Sequence, residues 1–231
     1  FILSPDTLEP AGAAAAAGPG DALVLTGPEA RHAVAVRRLR AGERVDLVDG
    51  TGLRLVCEVT AAGEVGAKDR LAVRVRERVD EAAPPVRLAL VQALAKGGRD
   101  EQAVETATEV GVDLVVPWQA ERSISVWSGP KVAKGRARWE ATAREAAKQA
   151  RRARVPEVAE PLGTAGLAAW AREVRADGGV VLVLHEEATA PISGVELPSA
   201  GVVGVVVGPE GGISAEEVSA LEEAGAVTVR L

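Results

Sequence analysis

Methionine and tyrosine are absent from this 231-residue chain, and its aromatic residues are Phe1 and four tryptophans. With 2% aromatics against 47% hydrophobics, the core must be built from Ala, Val and Leu. The stacking platforms with which RRM and OB domains read single strands lack their residues. One cysteine, Cys57, excludes a disulfide within the chain and a thiolate-rich metal site, and fits a reducing compartment. Two histidines, His32 and His185, give no basis for a histidine-rich centre, so no metal is expected. The longest apolar runs, Val180–Leu184 and Val202–Val207, fall far below the roughly 20 residues of a bilayer span. A soluble, cytoplasmic protein with no membrane partner is expected. Position 1 is Phe, too bulky for routine initiator removal, so the sequence is expected to be part of a longer reading frame.

What is present suggests two domains. Residues 1–80 read as a small β-rich unit. A low-complexity stretch, Ala11–Gly20, reads as a flexible loop, followed by a short strand at Ala22–Leu25. Thr26 and Glu29 form a T-x-x-E capping box that predicts a helix through about Leu39. Strands are predicted at Arg44–Val48 and Leu53–Thr60 around the turn Asp49-Gly50-Thr51-Gly52. Leu71, Val73 and Val75 alternate with Arg74 and Arg76, the period of a half-buried strand. The paired prolines of Ala82–Pro85 mark a linker.

Beyond it, apolar runs at Val86–Val91, Val112–Val116, Val180–Leu184, Val202–Val207 and Val227–Leu231 alternate with helical segments. The helices are predicted near Asp100–Val110, Arg136–Arg152, Thr164–Ala176 and Ala215–Ala224. This alternation predicts an α/β fold with a mostly parallel sheet.

In such sheets ligands bind beyond the carboxyl ends of the strands. Those ends carry Lys96-Gly97-Gly98, Glu121-Arg122-Ser123, His185-Glu186-Glu187 and Gly208-Pro209-Glu210-Gly211-Gly212. The last follows a strand and precedes Ser214 and Glu217, an S-x-x-E capping box. On composition alone it reads equally as a tight turn or as a ligand cradle. Neither G-x-x-x-x-G-K-[ST] nor G-x-G-x-x-G is present, and Glu210 would repel a phosphate. A ligand neutral or cationic at its reactive centre, such as a sulfonium cofactor, fits better.

Charge is uneven. Overall there are 27 basic and 33 acidic residues, a net of −6, so no global positive field marks a polyanion partner. Yet Lys131–Arg154 holds nine basic residues against Glu140 and Glu145, a net of +7, and no acid interrupts Arg31, Arg37, Arg38 and Arg40. Two such patches are the footprint expected for phosphate contacts. On the helix predicted over 136–152, Trp139, Ala143, Ala146 and Ala150 form an apolar stripe. Glu145, Gln149 and Arg152 form a polar row, which reads either as a surface pair or as a group able to hold a base edge or a phosphate. Nucleophilic catalysis finds little support, since Cys57 sits in a predicted strand and no G-x-S-x-G elbow exists.

Six segments in order resemble one family: RHAVAVRRLRAGE (31–43), LVQALAKGGR (90–99), ATEVGVDLVVPWQAERS (107–123), REAAKQARRARVPEV (144–158), LVLHEE (182–187) and VVVGPEGGIS (205–214). The chain is similar to the bacterial 16S rRNA (uracil-N3)-methyltransferases of the RsmE type, in the SPOUT superfamily. The resemblance implies a PUA-like RNA-binding β-barrel domain at 1–80 and a SPOUT trefoil-knot methyltransferase domain at 86–231. It also implies S-adenosylmethionine as cofactor, a homodimer with the active site near its interface, and 16S rRNA or the assembled small ribosomal subunit as partner. Leu184, Glu186, Gly208, Pro209, Glu210, Gly211 and Gly212 match the cofactor-loop motifs. Arg152 is the leading catalytic candidate, with Glu145 and Gln149 beside it. The RNA-contact candidates are Arg31, His32, Arg37, Arg38, Arg40, Lys96, Arg122, Ser123, Arg151 and Arg154. The family continues with a motif like L-G-x-R-I-L-R-x-E-T-A where this sequence ends, so an incomplete cofactor pocket is expected. Two alternatives remain: a SPOUT enzyme acting on a ribose 2′-hydroxyl or another base, and a non-catalytic RNA-binding or ribosome-assembly factor.

Overall fold

A computed structural model describes residues 1–4, 6–63 and 69–231. It divides into two compact units, Phe1–Ala83 with Arg151–Arg154, and Pro84–Ala150 with Val155–Leu231.

The first unit is an antiparallel sheet of β1 (Leu8–Glu9), β2 (Ala22–Thr26), β3 (Arg44–Val48), β4 (Leu53–Ala62) and β5 (Arg70–Asp80), ordered β1-β2-β5-β4-β3. Period-2 alternation decides which side is buried. Leu53, Leu55, Cys57 and Val59 of β4 and Leu71, Val73 and Val75 of β5 face one core, while Arg74 and Arg76 stay exposed. The Asp49 carboxylate shapes the β3–β4 turn by accepting from the backbone N–H groups of Thr51 and Leu53 at 2.7 and 3.0 Å.

Three local expectations for this unit are corrected. The helix after β2 is only α1 (Gly27–Arg31), continued by a π-helical stretch over His32–Val36, and the Thr26 side chain makes no cap hydrogen bond. Residues 11–20 are not a loose loop. Ala13–Ala15 form a 3₁₀ turn, Ala17 is buried, and the Arg78 guanidinium donates to the carbonyls of Ala14, Ala15 and Ala17 at 3.1–3.2 Å. Finally, Arg151–Arg154 belongs here. Gly52 N–H donates to Ala153 O at 3.2 Å, Arg54 Nη2 to Arg151 O at 3.0 Å, and Arg154 Nη2 to Glu81 O at 2.5 Å. Gly52 stands at φ +123°, where a Cβ would lie 2.7 Å from Glu81 O, so a side chain there would displace the segment.

The second unit is a parallel sheet of β6 (Val86–Ala93), β7 (Leu114–Gln119), β8 (Glu157–Val158), β9 (Leu162–Gly163), β10 (Val180–Leu184), β11 (Gly201–Val207) and β12 (Val227–Val229). Its order is β12-β10-β11-β6-β7-β8, with β9 also paired to β7. Helices α2 (Arg99–Val110), α3 (Pro130–Gln149), α4 (Thr164–Ala176) and α5 (Ala215–Glu223) cover it. Successive strand residues serve opposite faces. Val115 packs with Val104 of α2 and Trp139 of α3, whereas Val116 and Trp118 pack with Leu167 and Ala171 of α4 and Leu221 of α5. Parallel strands buried on both faces explain the unbroken apolar runs in the sequence.

Helix α3 starts at Pro130 and ends at Gln149, six residues earlier and three earlier than expected. Its C-cap is Ala150, and Arg151 turns into the left-handed region at φ 55°, so the helix cannot continue to Arg152. The expected polar row therefore stops at Gln149. Ala150 is exposed and Ala147 takes its place in the buried stripe.

Cys57 is fully buried in the first unit, and burial pushes its thiol up to about 12. At pH 8 the folded chain should therefore leave a disulfide exchange reagent unreacted, releasing one thiol only in guanidinium. A prompt reaction of native protein would contradict this packing.

Candidate functional site

Because all strands of the second unit are parallel, their carboxyl ends share one edge, and a cavity of about 960 Å³ opens there. Leu184, His185, Glu186 and Glu187 line it from the end of β10, Gly208–Ile213 from the end of β11, Glu222 from α5 and Thr228 from β12. Arg122 lines it from the loop after β7. Gly208 is required by close approach, since a Cβ would come within 2.6 Å of Ile213 Cγ1. Gly212 completes the turn at φ +74°, its N–H donating to Pro209 O at 2.9 Å.

The loop is held from behind by Glu217. Ser214 caps α5 in a complete capping box, with its side chain accepting from Glu217 N and Glu217 accepting from Ser214 N at 3.2 Å. Glu217 Oε1 also accepts from Glu121 N at 2.9 Å and Thr164 Oγ1 at 2.7 Å. Ser214 Oγ in turn donates to Glu121 Oε2 at 2.7 Å. One buried carboxylate thus ties the glycine loop, the loop after β7 and the start of α4 together. On the loop's other side, Glu210 is held ionised below the ordinary carboxylate range by its own backbone N–H, then by the Lys96 N–H and the nearby Arg99 and Lys96 charges. The site combines close-packed backbone, an apolar wall of Leu184, Ile213 and Val218, and several carboxylates. That chemistry suits a flat, partly apolar ligand carrying positive charge. Among the described residues no cluster of His, Cys, Asp and Glu suits a metal ion, and no helix is long and apolar enough to cross a membrane.

Comparisons with known proteins agree with this geometry. The model of an RNA methyltransferase domain matches residues 82–231, and that of an RNA methyltransferase PUA domain matches residues 25–66. Ribosomal RNA small subunit methyltransferase E of Mycobacterium bovis is 47% identical over 98% of this chain and 82% of its own length. The Bacillus subtilis protein of that name is 30% identical over 90% of this chain and 81% of its own. The chain belongs to the ribosomal RNA small subunit methyltransferase E family. A crystal structure of the Neisseria gonorrhoeae member bound to S-adenosylmethionine superposes with a TM-score of 0.79 at 26% identity, covering 100% of this chain and 88% of that one.

In this family member the cofactor candidates Leu184, Glu186 and Gly208–Gly212 come together around one cavity. Glu145 and Gln149 lie exposed on α3, whereas Arg152 lies beyond the helix in the segment of the first unit. Arg31, Arg37, Arg38 and Arg40 are exposed and His32 is half-buried, its ring edge-on to Phe1. Arg38 holds φ 54°, unfavourable for a residue with a Cβ, two residues after the end of the π-helical stretch; both features concentrate at functional sites. Ser123 is buried, and its hydroxyl has no partner among the described residues. Arg151 is exposed and Arg154 half-buried.

The basic stretch is less positive in space than in sequence. Arg136 pairs with Glu160 at 2.6 Å and Glu140 at 3.4 Å, Arg138 with Glu101 at 2.6 Å, and Lys148 with Glu145 at 3.4 Å. Sequence reasoning missed that Arg122 lines the cavity and that Glu217 links three elements. The capping box was the available signal for the second.

Replacing Glu217 with Ala should destabilise the second unit by about 1–3 kcal/mol, since half of the capping box is lost and one buried and two partly buried donors lose their acceptor. Gln, which keeps an acceptor oxygen, should cost less. All four tryptophans lie in this unit, so denaturant unfolding followed by tryptophan fluorescence reports on it selectively. An unchanged midpoint for Glu217→Ala would refute the role.

Proposed function

We propose that this chain is an S-adenosylmethionine-dependent methyltransferase that methylates N3 of a uridine in 16S rRNA, on naked rRNA or the assembled small subunit. It acts as a homodimer in the cytoplasm, with residues 1–80 serving as a PUA-like RNA-binding domain and 86–231 as the SPOUT catalytic domain. The observation that carries this reading is the glycine loop and carboxylate-lined cavity at the strand ends, in a chain 47% identical to a named family member across 98% of its length.

The residues present fit the cofactor. Gly208 and Gly211 leave room where a side chain would crowd Ile213 or Arg122, and Leu184 and Ile213 offer an apolar wall for a purine. The carboxylates suit a sulfonium. When bound, S-adenosylmethionine supplies an already activated methyl group, so the protein's tasks are alignment and charge. Leu184, Glu186 and Gly208–Gly212 hold and orient it. The uracil N3 proton must leave as the new bond forms. Arg152 stabilises the negative charge that develops on the ring, Glu145 or a water takes the proton, and Gln149 helps orient the base. Arg31, His32, Arg37, Arg38, Arg40, Lys96 and Arg151 contact the RNA backbone, in keeping with a protein that has few aromatics for stacking.

The decisive experiment is nucleoside mass spectrometry on small subunits lacking the modification, after incubation with the chain and S-adenosylmethionine. 3-Methyluridine is expected; a 2′-O-methylated nucleoside, or no product, would overturn the reading. Arg152→Ala should lower the methylation rate on the order of 10²-fold while leaving cofactor affinity within about twofold. RNA affinity should fall steeply with salt, and Arg37→Ala with Arg38→Ala should reduce the slope by about 1 each, whereas affinity indifferent to salt would remove the phosphate contacts.

A further inference from the structure

The cavity at the strand ends is chemically lopsided. Glu186, Glu187, Glu210 and Glu222 line it, and among the described residues Arg122 is the one arginine or lysine that does. Two of these carboxylates are engaged, Glu210 with Arg99 at 3.5 Å and Glu222 with the Thr228 hydroxyl at 2.6 Å. Arg122 donates from Nη1 to Gly211 O at 3.2 Å, and among the described residues no carboxylate pairs with it. Its side chain is exposed, yet its backbone is fixed. Glu121 N–H is held by Glu217 at 2.9 Å, Glu121 Oε2 accepts from Ser214 at 2.7 Å, and Ser123 N–H donates to Ala120 O at 3.1 Å. A guanidinium carried on a held turn is preorganised for an anion rather than left to roam on a surface.

Strand order then separates the charges. Glu186 and Glu187 follow β10, Arg122 follows β7, and β11 and β6 lie between them. Three inter-strand steps place the two ends about 14 Å apart. The glycine loop runs between, at the end of β11. A ligand laid along this edge meets Glu186 and Glu187 at one end, Glu210 with its Arg99 partner on the loop between, and the Arg122 guanidinium at the other.

The geometry points to Arg122 as the residue that recognises the α-carboxylate of the cofactor's amino-acid tail, through charge-assisted hydrogen bonds to the fork of its guanidinium. This assignment rests on the cofactor reading above, and it gives Arg122 to the cofactor instead of to RNA. Arg122 then also explains why a cavity rich in carboxylates accepts a ligand that itself carries one. Its contact with Gly211 O places that charge on the glycine loop, so the loop and the tail-binding group form one surface.

The test is calorimetric titration of the full chain with S-adenosylmethionine and with its decarboxylated analogue, which keeps the adenosyl, sulfonium and amino groups and lacks only the carboxylate. The wild type should bind the intact cofactor on the order of ten- to a hundredfold more tightly than the analogue, the range of a charge-assisted contact. Arg122→Ala should abolish that preference by weakening only the intact cofactor, Arg122→Lys should recover part of it, and RNA affinity should stay within about twofold. Tryptophan-monitored unfolding of the variants should match wild type. If the wild type binds both molecules equally, or Arg122→Ala keeps the preference and loses RNA affinity instead, the assignment falls while the cofactor reading stands. If the wild type binds neither, the cofactor reading itself fails.

Discussion

The Glu217 carboxylate is the contact on which the functional edge depends. It is 4% exposed, and its two oxygens accept from Ser214, Glu121 and Thr164, which come from three different elements. A parallel sheet aligns strand ends but leaves the loops beyond them to find their own arrangement. Here one buried carboxylate supplies it, and because it accepts from the buried Ser214 N–H and from two partly buried donors, releasing it would cost several hydrogen bonds together. The glycines of residues 208–212 can therefore be conformationally permissive without the loop being loose.

Charge tells the same story at longer range. The chain is acidic overall, and the carboxylates gathered at the cavity are consistent with a cationic ligand. Basic residues in α3 are partly neutralised by Glu101, Glu140, Glu145 and Glu160, so the stretch that looks most basic in sequence presents less field than its count suggests. The arginines at 31–40 are different: they are exposed, and the backbone carrying them adopts a π-helical stretch and a left-handed arginine, both of which need a reason to persist.

Much of this was legible in the sequence because local rules governed it. The alternation of Leu71, Val73 and Val75 with arginines, the unbroken apolar runs of β10 and β11, and the S-x-x-E box before α5 each follow from a period or a cap and recur in the structure. The failures share a cause. The Thr26 box, the end of α3 and the supposed loop at 11–20 were all decided by partners distant in sequence: Thr26 pairs with Arg70 in the sheet, Arg151–Arg154 docks on Gly52, Arg54 and Glu81, and Arg78 gathers the carbonyls of Ala14, Ala15 and Ala17. Of the site, the glycine loop and Glu186 could be read from strand ends, whereas the place of Arg122 in the cavity depends on strand order, which no local pattern encodes.

The central claim is that the cavity beyond β10 and β11 takes the cofactor on its glycine loop. Amide hydrogen exchange with and without S-adenosylmethionine tests it most directly. Protection should rise over residues 184–187 and 208–214, and stay unchanged over β2 and β5 of the first unit. Protection confined to other segments, or no change at saturating cofactor, would contradict the account.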